Sequence, residues 1–197
     1  MFDINKELVA FARRGEWNGF TGILSGIVKE NFAVRDAVEG EKVVQSTLVA
    51  LLTAAKGPYL VSHEREAGGG FYDLALAPRL DRWPDIAHAA LIEMKYVKAV
   101  DPAPTPEQLA KIKSEAIDQL DQYSSDPAIV AKWHIAPVGV ASVPPATGTT
   151  GILPVEKTGT TGVPPVEAAT NAALPRVTLH RLVLVFHGGD CVLADEV

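Results

Sequence analysis

Cysteine is nearly missing from this chain of 197 residues. Cys191 stands alone, so no intrachain disulfide can form, and a reducing compartment, the cytoplasm, is the expected setting. Long apolar runs are missing too: nothing approaches the ~18 residues of a membrane span. Asp3, Lys6 and Glu7 interrupt the N-terminal residues, so no secretory signal is expected. Positive charge is in deficit, with Lys+Arg 18 against Asp+Glu 24 and a net charge of −6. That balance argues against strong non-specific attraction to a polyanion. What is present is apolar material, 47% of the chain against 21% charged, enough for a globular fold with a real core. The length suits one domain, or one with an appendage.

Residues 4–14 and 17–31 read as two amphipathic helices. Leu8 and Phe11 mark the first, Phe20, Ile23, Leu24, Ile27 and Val28 the second, and Gly15 separates them as a C-cap. A third helix is expected over 40–55, with Glu41, Gln45, Leu48 and Leu52 along one stripe. Glu41 either tops a buried face or simply complements the helix dipole from the first turn. Gly57-Pro58 ends that helix, and Tyr59–Glu66 reads as a strand. Gly68-Gly69-Gly70 invites a phosphate-loop reading, but no Gly-Lys-Ser/Thr follows and a strand comes next, so a hairpin turn is expected. Thr105-Pro106-Glu107-Gln108 is a capping box with proline at the first helical position. The helix it starts runs to about Tyr123, and Gln119 lies at the edge of its buried stripe. Asp126-Pro127 opens a short further helix.

Residues 144–170 change character. Thr147–Glu156 is nearly repeated as Thr158–Glu167, a period of 11 residues rich in Pro, Gly and Thr. Two copies are too few to stack as a solenoid, so a flexible inserted loop is expected. Val177–Phe186 is then a strand buried on both faces, and Cys191–Ala194 a short partner.

The chemistry gathers on two strands, Phe71–Ala77 and Leu91–Val97. Side chains alternate along a strand, so Asp73 shares a face with the small Ala75 and Ala77, and Glu93 shares one with Lys95. If the strands pair, two carboxylates and an ammonium converge. A hard cation such as Mg²⁺ takes oxygen ligands and keeps several waters, which two carboxylates can satisfy. The lysine can then stabilise a transition-state oxyanion. The same three residues also fit a solvated Glu-x-Lys face on an unrelated α/β protein.

From residue 40 onward the order is helix, three strands, helix, strand. With Ser62–Leu74, Leu91–Tyr96, Glu115–Tyr123 and Leu182–Gly188 in that order, the sequence resembles the PD-(D/E)XK nuclease superfamily, in the branch usually found behind an AAA-ATPase-like domain. The resemblance implies a restriction-endonuclease-like core, αβββαβ, with a mixed sheet flanked by helices. It occupies residues 36–197, after an N-terminal helical segment at 1–35 and with the repeat as an insertion. It implies that Asp73 and Glu93 bind metal, with Glu41 as a further ligand, that Lys95 is catalytic, and that Gln119 and Tyr123 support the site. The cofactor would be Mg²⁺ or Mn²⁺ and the partner nucleic acid, DNA first, with no membrane. The family commonly has Arg where Phe71 stands, and no Walker motif occurs here. An AAA-ATPase-like partner would therefore be missing from this chain. Two functional readings follow: a metal-dependent nuclease, or an inactive or partner-dependent nuclease-like module that binds or regulates.

Overall fold

A computed structural model describes residues 3–31, 40–55, 57–67, 69–98, 101–135 and 176–197. The repeat expected as an insertion at 144–170 lies outside the described residues. Helix α1 spans Ile4–Arg14; the Asp3 side chain accepts the Lys6 amide at its start, and Gly15, left-handed at φ 72°, closes it. Helix α2 (Asn18–Asn31) follows, then α3 (Gly40–Ala54), which buries Val44, Leu48 and Leu52. Strands β1 (Tyr59–Ala67), β2 (Gly70–Pro78) and β3 (His88–Val97) come next. Helix α4 (Pro106–Ser124) begins at the expected capping box: Thr105 and Gln108 each accept the other's backbone N–H. A short α5 (Pro127–Lys132), β4 (Thr178–His187) and β5 (Asp190–Glu196) complete the order.

The strands form one mixed sheet in the order β1-β2-β3-β4-β5. β1/β2 and β2/β3 are antiparallel, β3/β4 is parallel from His88↔Thr178 to Val97↔His187, and β4/β5 is antiparallel. A parallel pair needs a long crossover, and α4 with α5 lies in that connection. The mixed sheet flanked by helices is the architecture the sequence leads one to expect.

Each face of the sheet has its own core. On one, Leu74, Leu76, Ile92, Leu182, Leu184 and Phe186 pack against α1, α2 and α3 through Leu8, Phe11, Phe20, Leu24 and Leu48. On the other, Ala75, Ala77, Leu91, Val183 and Val185 pack against α4 and α5 through Ala116, Leu120, Tyr123, Ile129 and Trp133. Burying a Leu or Phe fully stabilises by about 1.5–3 kcal/mol. The N-terminal helices are thus part of the same core as the sheet. No described helix is long and apolar enough to cross a membrane.

Two glycines set close approaches near the ends of β2 and β3. A Cβ on Gly40, at the start of α3, would lie 2.1 Å from the Tyr96 ring, and one on Gly70 would lie 2.9 Å from the Tyr123 ring. Any larger residue would push α3 off β3, or the β1–β2 turn off α4.

Candidate active site

Strand β2 parts from β3 beyond the pair Leu74↔Ile92. The next residue outward on β2 is Asp73. Its Oδ2 accepts the backbone N–H of Met94 at 2.8 Å, so a side chain bonds β3 where ladder pairing has stopped. From the other side of the sheet, the Gln45 side-chain amide on α3 donates to the Asp73 carbonyl at 3.3 Å. Asp73 is therefore held by its carboxylate and by its backbone.

The same place is a break in β1. The β1/β2 register runs His63↔Leu74 and then Arg65↔Tyr72, passing over Glu64 opposite Asp73. Glu64 has φ 46°, a left-handed conformation uncommon for a residue with a Cβ. Beyond the break the faces change: Tyr72 packs with Ala75 and Ala77 on the α4 side, although simple alternation puts it with Leu74. Its hydroxyl meets Ser62 Oγ at 2.9 Å, and its ring stands edge-on to Tyr123, with 6.5 Å between centroids.

Glu93 is 2% exposed, on the α4 side of β3. Lys95, two residues on, donates from Nζ to Glu93 Oε1 at 2.9 Å and to Gln119 Oε1 of α4 at 2.6 Å. Glu93 Oε2 is buried with no hydrogen-bond partner among the described residues. Burial, and after it the negative charge of Asp73, pushes the Glu93 carboxyl up to about 7, with Lys95 opposing. Asp73 is also raised, chiefly by burial and further by Glu41, against the Met94 hydrogen bond and Lys95. The two carboxyls are neighbours that resist being ionised together. Tyr123 is raised by burial and then by the charges of Glu93 and Asp73.

The expected residues thus fall into two groups. Asp73, Glu93, Lys95 and Gln119 stand together, with Tyr123 beside them. Glu41 sits exposed in the first turn of α3, near enough to act on Asp73 electrostatically but outside the hydrogen-bonded cluster. Among the described residues no three His, Cys, Asp or Glu side chains form a cation cage. Gln45, Ser62 and Glu64 belong to the setting of the site and were not singled out as site residues; Gln45 alone carried a signal, its place on the stripe of Glu41 and Leu48.

Such a cluster pairs a strained couple of acids with one fixed cation, an arrangement able to accept a divalent ion and to meet a developing negative charge. A model of the PD-(D/E)XK nuclease superfamily matches residues 39–145, more than half of the chain and all of this cluster. No curated protein and no solved structure matches it.

Proposed function

This chain belongs to the PD-(D/E)XK nuclease superfamily, and from that premise we propose that it hydrolyses phosphodiester bonds of nucleic acid, DNA first, with Mg²⁺ or Mn²⁺. One observation carries the reading: Glu93 is buried, raised in pKa and left with a free Oε2 beside Asp73. A carboxylate pair of this kind gains most from a divalent cation, and Mg²⁺ needs only one or two carboxylates besides water. Asp73 and Glu93 would hold it, with Glu41 able to add charge from the start of α3. When bound, the ion would make a water acidic enough to attack phosphorus at neutral pH and would offset the charge of the phosphate.

The remaining work falls to Lys95 and its support. An ammonium has three N–H donors. Two are engaged by Glu93 and Gln119, which leaves one for a phosphoryl oxygen whose charge grows as the bond to the leaving oxygen breaks. Gln119 acts through Lys95 and is a positioning residue. The second reading, a module that binds without cutting, is favoured by the place of Glu41, exposed and outside the hydrogen-bonded cluster. An ATPase-like partner belongs to that second reading.

The test is cleavage of plasmid, single-stranded DNA and RNA with Mg²⁺ or Mn²⁺. Asp73→Asn, Glu93→Gln and Lys95→Ala should each abolish it. Wild type should gain thermal stability from millimolar metal by an amount set by affinity; the two carboxamide variants should not, and Lys95→Ala should keep most of the gain. Gln119→Leu should lower kcat about tenfold, with Gln119→Glu restoring part of it. A metal-induced gain without any cleavage would replace the nuclease by the binding module. No gain in wild type would remove the metal site.

A further inference from the structure

The break at Glu64 turns a second side chain besides Tyr72. Ser62 faces α4, opposite Ala75. Simple alternation from there would put Glu64 and Glu66 on the α4 side and Arg65 on the other. Beyond the break Arg65 is instead the partner of Tyr72, and Ala67, two residues on, packs in the α4-side core with Tyr72 and Ala75. Arg65 therefore stands on the face that carries Glu93, Lys95 and Gln119, one strand over and one residue along from Asp73.

A cavity of about 170 Å³ opens there between the hairpin and α5. Ser62, Arg65 and Tyr72 line it from the hairpin, Lys132 and Trp133 from the end of α5. Neither Arg65 nor Lys132 has an ion-pair partner among the described residues, whereas Lys95 is committed to Glu93 and Gln119. Asp126 and Glu66 also border the cavity. Asp126 is the cap of α5 and accepts the Ala128 amide at 2.7 Å. Glu66 lies between Arg65 and Ala67, so alternation turns its side chain to the opposite face. Positive charge is left in excess. The same face joins the cavity to the cluster: Gln119 meets Lys95, Tyr123 follows one turn later on α4, and its ring stands against Tyr72, 6.5 Å between centroids.

We infer that Arg65 and Lys132 hold an internal phosphate of the substrate strand, near the phosphate that is cut, and so set the register of the strand on the cluster. This rests on the nuclease reading above. A guanidinium offers parallel N–H donors to phosphate oxygens, and an ammonium adds a point charge. The chain carries a net −6, so it draws in a polyanion only where the fold gathers cations locally. A contact away from the reacting phosphorus holds substrate and transition state alike, and shows in KM rather than kcat.

The experiment measures cleavage of a 5′-hydroxyl oligodeoxythymidylate by wild type, Arg65→Gln, Arg65→Lys and Lys132→Gln, with Lys6→Gln on α1 as the control for net charge. Arg65→Gln should raise KM about tenfold and Lys132→Gln about threefold, each with kcat held within about twofold. Arg65→Lys should recover part of the loss, and Lys6→Gln should leave KM within about twofold. A neutral methylphosphonate is then moved along the strand, one linkage at a time. At one linkage near the cut it should raise KM for wild type as much as Arg65→Gln does, and raise it no further in Arg65→Gln. Equal losses in wild type and Arg65→Gln at every linkage overturn the inference, as does an unchanged KM in Arg65→Gln. If wild type cuts nothing, the nuclease reading fails, and binding in metal-free buffer still decides the contact. Arg65→Gln should then flatten the dependence of log Kd on log salt by about 0.7, the share of one phosphate on a single strand. An unchanged slope, or no binding by wild type, ends it.

Discussion

Asp73 accepts the Met94 amide through its carboxylate at 2.8 Å, one residue beyond the last backbone pair of β2 with β3. One side chain thus ends a ladder, satisfies a buried donor and presents charge to Glu93. These tasks separate by substitution. Asn keeps an oxygen for the Met94 N–H and loses the charge; Ala loses both. An unsatisfied buried donor costs about 1–3 kcal/mol, and each kcal/mol moves Tm by roughly 2–4 °C in a chain of this size. Asp73→Ala should therefore melt below Asp73→Asn by about 2–12 °C in metal-free buffer, while neither responds to Mg²⁺. Equal melting of the two would show that the Met94 hydrogen bond contributes nothing.

Glu93 makes stability depend on pH in a direction unusual for a carboxylate. Its carboxyl is raised from an ordinary 4.5 to about 7, first by burial and then by Asp73. Between those values the folded state binds the proton more tightly than the unfolded chain. The contribution is full below about 4.5 and is lost as pH rises through 7. Without metal, this group makes the protein less stable at pH 8 than at pH 5. Glu93→Gln carries no titrating proton, so it should remove that fall and raise stability at pH 8 by roughly 1–3 kcal/mol. Urea unfolding at the two pH values measures it; parallel behaviour of wild type and Glu93→Gln would sink the account.

Much of the site was legible because the signals that build it are local. The alternation of Glu93 and Lys95, the capping box at Thr105 and the stripe that carries Gln119 each lie within one element, and each was found where its pattern placed it. The face of Tyr72 was not legible. It depends on the backbone turning at Glu64, and neither Gly nor Asn stands there to announce a left-handed residue. The contact of Gln45 with Asp73 was half legible: helical spacing gave the stripe, but only tertiary packing decides which strand it meets. Longer-range chemistry was not visible at all. His88 and His180 are 92 residues apart in the chain and meet only because β3 and β4 pair in parallel.

Glu64 tests whether the break in the hairpin belongs to the site. A left-handed residue with a Cβ costs about 1–2 kcal/mol, and strain of this kind concentrates at functional positions. Glycine adopts that conformation freely, so Glu64→Gly should be neutral or stabilising by up to about 1 kcal/mol and keep activity. Valine, branched at Cβ, resists it. Glu64→Val should destabilise by roughly 1–3 kcal/mol and lower kcat, because straightening β1 pulls Asp73 from Met94. A fully active Glu64→Val would show that the break does not position Asp73.

A second polar cluster lies on the opposite face, and within it His88 shifts stability with pH in the opposite sense. His88 Nδ1 and His180 Nε2 are 2.8 Å apart, one donating to the other. His180 Nδ1 lies 2.5 Å from Glu196 Oε1, and Trp17 donates to Glu196 Oε2 at 2.8 Å. Phe11 packs against both imidazoles, and Tyr59 donates to the His88 carbonyl. The chain of contacts joins α1, the residues after it, β1, β3, β4 and β5. His88 is lowered below its ordinary 6.5 by burial and then by His180, with Glu196 opposing. Below 6.5 the unfolded chain therefore takes up the proton more readily than the folded one. The contribution of His88 is present above about 6.5 and is lost as pH falls. Glu93 and His88 lie on opposite faces of the sheet, so substitutions there should add. In a Glu93→Gln background the rising limb from Glu93 is gone, and the loss of stability on going from pH 7.5 to 5.5 should stand out. Adding His88→Gln to that background should flatten it, at the cost of a lower plateau from the weakened contact with His180. Urea denaturation of the two variants at both pH values reads the difference directly. If the double variant loses as much stability on acidification as Glu93→Gln alone, His88 is not the group that titrates.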